Sequence, residues 1–219
     1  MTGRSLPPAA RVAEDLGDGR LHLPAAERNA GPISDLVAGL RGDGPGRALE
    51  IASGSGQHVV RHAARLPQTS WQPTEVDPVR LTSIDAYAGE AGLANIRPAV
   101  ALDATRPGWA AGHEAQDLVL LVNLLHLIAE HEATTLIREA ATALAPGGVA
   151  VFYGPFMRGG QLTSDGDVRF HAELRAADPQ IGYKDDRWML DLLTEAGLTP
   201  DAPVEMPANN LAFVGRRPH

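Results

Sequence analysis

The fold is decided by the stretch Arg47-Ala48-Leu49-Glu50-Ile51-Ala52-Ser53-Gly54-Ser55-Gly56-Gln57-His58. A short apolar run ends near a carboxylate, a turn with two glycines follows, and apolar residues then recur at helical spacing (Val59, Ala63, Leu66). This pattern predicts a strand, a tight turn and a helix, the opening unit of a nucleotide-binding α/β fold. Glycines at 54 and 56 let the backbone bend and let a ligand approach main-chain N–H groups.

The charge around this turn distinguishes two classes of ligand. A dinucleotide places its pyrophosphate on a G-x-G-x-x-G turn, but the third glycine position is Val59 here and Glu50 precedes the turn. A carboxylate at this place repels a pyrophosphate and attracts S-adenosylmethionine (SAM), which carries an ammonium and a sulfonium and no phosphate. The sequence therefore favours SAM, and it disfavours a nicotinamide-dependent oxidoreductase.

A second acid follows at the spacing that a ribose contact requires. The stretch Trp71-Gln72-Pro73-Thr74-Glu75-Val76-Asp77-Pro78 indicates the end of a second strand, and Glu75 lies 21 residues after Gly54. An acid about 20 residues beyond the glycine turn is placed to accept hydrogen bonds from ribose hydroxyls. We therefore expect Glu75 to bind the cofactor ribose.

These segments together resemble the class I SAM-dependent methyltransferases and, more narrowly, the methyltransferase-like 26 proteins and their bacterial relatives. The resemblance runs from about residue 23 to the end, with Ala52 standing where a glycine is usual. It is carried by Ala25 to Asn29, Leu49 to His58, Trp71 to Pro78, Asn123-Leu124-Leu125-His126, Tyr153-Gly154-Pro155-Phe156 and Glu205 to Leu211.

The resemblance implies a SAM site in which Glu50 faces the ammonium side and Asp103 faces the adenine amino group. Asp103 is equally consistent with a helix or turn cap, since aspartate caps are common. The implied cofactor-binding residues are Glu50, Ala52, Ser53, Gly54, Gly56, Glu75, Val76, Asp103, Ala104 and Asn123.

Candidate acceptor residues follow the later strands and the N-terminal helix. His126 comes after the apolar run Asp117 to Val122, at the edge where open α/β sheets bind ligands. His126 and Tyr153 are the candidate catalytic residues, with structural packing as the alternative for each. Arg28, Asn29, His126, Tyr153 and Asn209 are the candidate substrate-binding residues. A solvated helix face is the alternative for Arg28 and Asn29, and turn chemistry is the alternative for Asn209.

Composition narrows the class of protein. The chain has 219 residues, 44% of them hydrophobic and 21% charged, which fits a single globular domain. A formal net charge of −8 argues against nonspecific nucleic-acid binding, and the lack of cysteine excludes a thiolate metal site or disulfides. No run of 18 apolar residues occurs, so we expect a cytoplasmic protein without a membrane span. We predict no metal site, and a monomer or homodimer.

The predicted fold is a Rossmann-like α/β domain. We expect a seven-stranded, mostly parallel sheet with helices on both faces and an antiparallel last strand. Before the first core strand, Pro24 to Asn29 indicates a helical turn, and Pro32 is expected to open another helix at its first turn. Residues 1–22 are expected to form a flexible segment or a lid, residues 23–219 the single methyltransferase domain, and residues 157–184 an insertion that caps the acceptor site. The expected activity is methyl transfer from SAM to an O, N or S atom of a small molecule. The alternative is a SAM-binding protein that acts through a partner without catalysis.

Overall fold

A computed structural model describes Pro7 and residues 13–219. The described chain folds into an α/β structure with helices and strands in alternation along most of its length. Its helices are α1 Pro24–Arg41, α2 Gln57–Arg65, α3 Pro78–Ala91, α4 Glu130–Ala143, α5 Asp165–Ala177 and α6 Asp186–Glu195. Its strands are β1 Glu14–Asp15, β2 Leu21–His22, β3 Gly46–Ile51, β4 Thr69–Glu75, β5 Val100–Ala101, β6 Gln116–Val122, β7 Leu144–Met157, β8 Lys184–Asp185, β9 Thr199–Pro200, β10 Val204–Glu205 and β11 Asn210–Arg216.

The central sheet has the strand order β10-β11-β7-β6-β3-β4-β5. Strands β3 to β7 are parallel to one another, and β11 is antiparallel to β7. The short strands β8 and β9 pair with β7 and β11 outside this path. The predicted seven-stranded, mostly parallel sheet with an antiparallel last strand is confirmed. Its strand order reverses between β3 and β6, which is where open sheets of this kind bind ligands.

Helices cover both faces of the sheet, as predicted. One buried cluster includes Ile33 of α1, Val59 of α2 and Ile84 of α3, and the opposite cluster includes Leu136 of α4 and Met189 of α6. A central parallel strand is covered on both faces and is therefore apolar on both sides. In β6, the four residues from Leu118 to Leu121 form a continuous apolar run, and all four side chains are buried. The two layers hold the carboxyl ends of the strands at one edge. Among the described residues, no helix is long and apolar enough to cross a membrane.

The N-terminal part of the described chain forms a small hairpin. Strands β1 and β2 pair antiparallel, the Leu21 N–H donates to Ser83 Oγ over 2.8 Å, and the Leu23 N–H donates to Gln57 Oε1 over 2.7 Å. These bonds tie the hairpin to α3 and α2. Half of the predicted flexible segment or lid, residues 1–6 and 8–12, lies outside the described residues, so that role stays a prediction.

Helix α1 corrects one expectation from the sequence. The proline at position 32 suggested that a new helix opens there, but the structure has one helix from Pro24 to Arg41 with Pro32 inside it. A proline inside a helix removes one backbone hydrogen bond. The buried face formed by Ala30, Ile33 and Val37 runs past this position, and its packing against the sheet keeps the helix continuous.

The two glycines of the first turn differ in what they allow. Gly56 has φ +98°, and a Cβ atom there would lie 2.7 Å from Ile84 Cα, whereas Gly54 has φ +62° with nothing within 4 Å of an added Cβ. Gly56→Ala should therefore destabilise the fold by about 3 kcal/mol, a drop of about 9 °C in melting temperature. The matched control Gly54→Ala should cost only about 1 kcal/mol. Equal melting temperatures for the two variants would contradict this packing.

Candidate functional site

A cavity opens at the carboxyl ends of the strands, next to the point where the strand order reverses. Half of the predicted cofactor residues line it, namely Ala52, Glu75, Val76, Asp103 and Ala104. Its other lining residues were not foreseen from the sequence: Ile51, Leu102, Thr105 and Leu124. Each of these residues is next in sequence to a predicted site residue, so their position beside a strand end could have predicted them.

Two residues other than glycine adopt left-handed backbone at this edge. Ala52 directly follows β3 with φ +52°, and Asn123 directly follows β6 with φ +57°. Such conformations are unfavourable for residues with a Cβ and cluster at functional sites. Ala52 thus takes the conformation for which glycine is favoured. Ser53 secures the turn, because its N–H donates to Thr74 O over 2.8 Å.

Glu75 joins the first turn to the second strand end. Its carboxylate accepts the backbone N–H groups of Gly54 at 3.2 Å, Val76 at 2.7 Å and Asp77 at 3.4 Å, and Arg80 Nη1 lies 3.8 Å away. The side chain is buried and still lines the cavity. Backbone bonds therefore fix the carboxylate in place where a ribose contact is predicted.

Asp103 forms a turn cap and also borders the cavity. Its Oδ1 accepts the Thr105 N–H at 3.1 Å and the Thr105 hydroxyl at 2.5 Å, and its Oδ2 lies 3.4 Å from Arg106 Nε. The capping alternative is thus present in the structure. The adenine contact stays a prediction, and the position of Asp103 in the cavity lining is compatible with it.

Glu50 is a buried acid whose carboxyl oxygens make no hydrogen bond of standard geometry with a described residue. Only 2% of its surface is exposed, and Oε1 lies 3.8 Å from His62 Nε2. Burial and, more weakly, the charge of Glu75 raise the pKa of Glu50 to about 8, and the nearby Ser53 hydroxyl opposes this rise. Burial also holds the pKa of His62 well below its usual value. At pH 7 the pair is therefore mostly neutral, and Glu50 is poised to ionise beside a cation.

His126 and Asn123 lie over the glycine that follows Tyr153. A Cβ atom on Gly154 would lie 3.6 Å from Asn123 Oδ1 and 3.9 Å from His126 Nδ1. His126 is buried, and its Nδ1 has no hydrogen-bond partner among the described residues. Burial and the charge of Lys184 lower the pKa of His126 to about 3. The imidazole is therefore neutral at pH 7. A general base needs a pKa near the working pH, and the pKa of His126 is far below that.

The other predicted acceptor residues lie in different settings. Asn29 is buried, and its Oδ1 lies 2.8 Å from His58 Nε2, while Arg28 beside it is exposed. Asn209 is exposed at the turn before β11 with φ +59°, and its Nδ2 donates to Asp167 Oδ2 over 3.3 Å. Asn29 therefore faces the interior near Tyr153, whereas Arg28 and Asn209 lie on the surface.

The predicted insertion, residues 157–184, contains α5 and packs beside His126. Its buried residues Leu174, Ile181 and Tyr183 form a separate apolar cluster against Leu127, and the Tyr183 ring lies 6.1 Å from that of His126. The Tyr183 hydroxyl donates to Asp167 Oδ1 over 3.1 Å. The insertion thus covers His126, and its role as a cap of the acceptor site stays a prediction.

The raised pKa of Glu50 predicts how stability depends on pH. Since the folded state binds this proton more tightly than the unfolded state, stability is full below the unfolded pKa and falls as pH rises towards and beyond 8. Between pH 7 and pH 9 the loss should be about 1 kcal/mol, or about 3 °C in melting temperature.

Replacement of this acid by its neutral amide supplies the control for that measurement. In Glu50→Gln the fall in melting temperature between pH 7 and pH 9 should shrink, because the ionisable group is gone. The contributions of the histidines are common to both proteins, so they cancel when the two pH dependences are compared. An identical pH dependence in both proteins would show that Glu50 does not titrate in this range.

Comparison with known proteins places this geometry in a family. Residues 20–217 match the family described as Protein of unknown function (DUF938). An O-methyltransferase family protein from Burkholderia thailandensis has a TM-score of 0.75 and 20% identity, covering 89% of this chain and 57% of its own. An O-methyltransferase family 2 protein from Planctomyces limnophilus, in complex with apigenin, has a TM-score of 0.74 and 17% identity, with 88% and 57% covered.

A third similar structure is that of a methyltransferase described as dependent on S-adenosylmethionine. The S-adenosylmethionine-dependent methyltransferase SibL has a TM-score of 0.69 and 20% identity, covering 89% of this chain and 56% of its own. The chain spans little more than half the length of each of these structures. The narrower resemblance to methyltransferase-like 26 proteins stays a prediction. The chain belongs to the family described as Protein of unknown function (DUF938), and its fold is that of the class I SAM-dependent methyltransferases.

Proposed function

We propose that the protein is a SAM-dependent methyltransferase that moves a methyl group to an O, N or S atom of a small molecule by in-line displacement. The observation that carries this proposal is Glu50, a buried acid beneath the turn that leads out of β3, whose two carboxyl oxygens make no hydrogen bond of standard geometry with a described residue. A cationic ligand would supply the missing partner, and a phosphate would not. The likeness of the fold to SAM-dependent methyltransferases supports the same reading.

The residues at this edge fit the parts of SAM. The open space at Gly54 would let a ligand approach the backbone, Glu50 would attract the ammonium group, and Glu75, which accepts the Gly54 N–H, would bind the ribose. Ala52, Val76, Asp103 and Ala104 would border the adenosine, with Ser53, Gly56 and Asn123 shaping the turns around it. When bound, SAM supplies a methyl group on a sulfonium, which is a good leaving centre.

The chain's own work is therefore to bind and orient the two reactants. Correct orientation alone contributes roughly 7–11 kcal/mol in well-aligned systems. Since His126 is neutral and its Nδ1 is free among the described residues, we assign it to hydrogen bonding with the acceptor. With a pKa of about 3, His126 suits this positioning better than proton abstraction.

Removal of the ribose acid tests the cofactor half of the proposal. In Glu75→Ala, affinity for S-adenosylhomocysteine (SAH) should fall by about 1–3 kcal/mol, because ligand hydroxyls and loop N–H groups lose their acceptor. Calorimetric titration measures this. The exposed Glu114→Ala serves as control and should bind normally. Unchanged affinity in Glu75→Ala would refute the ribose assignment.

Removal of the buried imidazole tests the acceptor half. His126→Ala should lower turnover about tenfold, the cost of one lost hydrogen bond, while SAM affinity stays near normal. Methyl transfer from labelled SAM to an acceptor found by metabolite screening measures the rate. His131→Ala, on the exposed face of α4, is the matched control. A normal rate in His126→Ala would reduce His126 to packing.

A further inference from the structure

Four polar side chains meet on the face of the sheet opposite His126. They are Asn29 of α1, His58 of α2, Tyr153 of β7 and Asn210 of β11, here called the Tyr153 cluster. The first three are buried, and Asn210 is half-buried. Successive residues of a strand face opposite sides of the sheet, so Tyr153 and Gly154 face opposite sides. His126 lies on the Gly154 side. The Tyr153 cluster and His126 therefore lie on opposite faces of the sheet near the carboxyl end of β7.

The Tyr153 hydroxyl has no hydrogen bond of standard geometry with any described residue, although Tyr153 is only 1% exposed. The side chains of Asn29 and Asn210 lie near enough to interact with the hydroxyl, and they oppose the rise in the pKa of Tyr153 that burial causes. A buried hydroxyl without a hydrogen bond of good geometry is costly. This arrangement therefore indicates that a ligand or water completes the hydrogen bonding of the hydroxyl.

The two amides beside the hydroxyl are fixed by other bonds. Asn29 Oδ1 pairs with His58 Nε2 at 2.8 Å, and Asn210 Nδ2 donates to Pro207 O over 3.0 Å. These bonds leave the Asn29 amide N–H groups and the Asn210 carbonyl oxygen for the Tyr153 hydroxyl and for a ligand beside it. His58 lies two residues beyond Gly56, so its bond to Asn29 also ties α1 to the turn of the proposed cofactor site.

The cluster carries no charge at pH 7. Burial lowers the pKa of His58 to about 4, so its imidazole is neutral, and burial keeps Tyr153 protonated. Arg28 is exposed, and Arg158 is paired with Glu205 at 2.6 Å. A charged group placed against the cluster would lose its hydration and gain no counter-ion. An uncharged group with a donor and an acceptor would satisfy the hydroxyl and both amides.

We propose that the Tyr153 cluster is an acceptor subsite that selects an uncharged, hydrogen-bonding small molecule and rejects carboxylates, phosphates and amines. This inference rests on the proposed methyltransferase function and names the class of its acceptor. Tyr153 bonds the acceptor, Asn29 and Asn210 flank it, and His58 is a positioning residue that holds Asn29.

Three probes of matched size and shape test the charge preference: benzamide, benzoate and benzylamine. Their binding to the SAH-loaded protein at pH 7 is measured by ligand-observed NMR titration. Benzamide should bind about tenfold or more tighter than either charged probe, the cost of an unpaired buried charge. Tyr153→Phe keeps the ring and should weaken benzamide about tenfold by removing the hydroxyl.

Further variants separate a local role from loss of folding. Asn210→Ala, at a half-buried position, should weaken benzamide while melting normally, and His58→Ala should weaken it without a change in charge preference. Tyr87→Phe, on α3, is the matched control and should bind benzamide as the native protein does. Benzoate or benzylamine binding as tightly as benzamide would overturn the proposal. So would the absence of benzamide binding, or full benzamide binding by both Tyr153→Phe and Asn210→Ala.

The affinity for SAH, measured first on the same sample, keeps this test apart from the proposed function. A protein that does not bind SAH contradicts the methyltransferase proposal itself. A protein that binds SAH and shows no preference for benzamide contradicts only the neutral subsite.

Discussion

A carboxyl group that makes no hydrogen bond of standard geometry with a described residue is buried beneath the turn that ends the first core strand, and the rest of the site depends on it. Leaving such a group unpaired inside a protein costs several kcal/mol, about the value of a large mutational effect. Glu50 meets this constraint by holding its proton beside a neutral His62. A bound cation would reverse the balance, because the ionised carboxylate would then gain a partner. We therefore propose that this turn favours a positively charged ligand.

The backbone around this acid is strained in the same place. Ala52 and Asn123 both take left-handed conformations at the ends of neighbouring strands, and Gly56 passes so close to Ile84 that a side chain would not fit. The packed layers on both faces hold these turns in position, since Ile84 and its neighbours are buried. Glu75 then links the first turn to the second strand by accepting the Gly54 N–H. Strain and hydrogen bonding together fix the edge at which we place the cofactor.

Much of the fold could be predicted because its signals are local. The apolar run of β6 is continuous since both its faces are covered, and the 21-residue spacing from Gly54 to Glu75 follows from one strand-turn-helix-strand unit. The helix break expected at Pro32 was wrong, because burial along α1 outweighed one lost hydrogen bond.

The site was less predictable because its decisive contacts join distant residues. His58 meets Asn29 across 29 positions, and Tyr153 meets Asn29 and Asn210 from different elements. Burial lowers the pKa of His126, and so does the charge of Lys184, which the insertion brings back to the sheet. No pattern within one element carries this information. The predicted site residues come largely from the carboxyl ends of the strands, whereas the tertiary structure determines their protonation and their partners.

Calorimetric titration of the purified protein with SAH, SAM and NADH at pH 7.5 tests whether the turn after β3 selects a cationic ligand. SAM and SAH should bind saturably at one site, and NADH should not bind. Binding of NADH without any binding of SAM or SAH would contradict this selectivity, because the buried acid beneath the turn would then not select a cationic ligand.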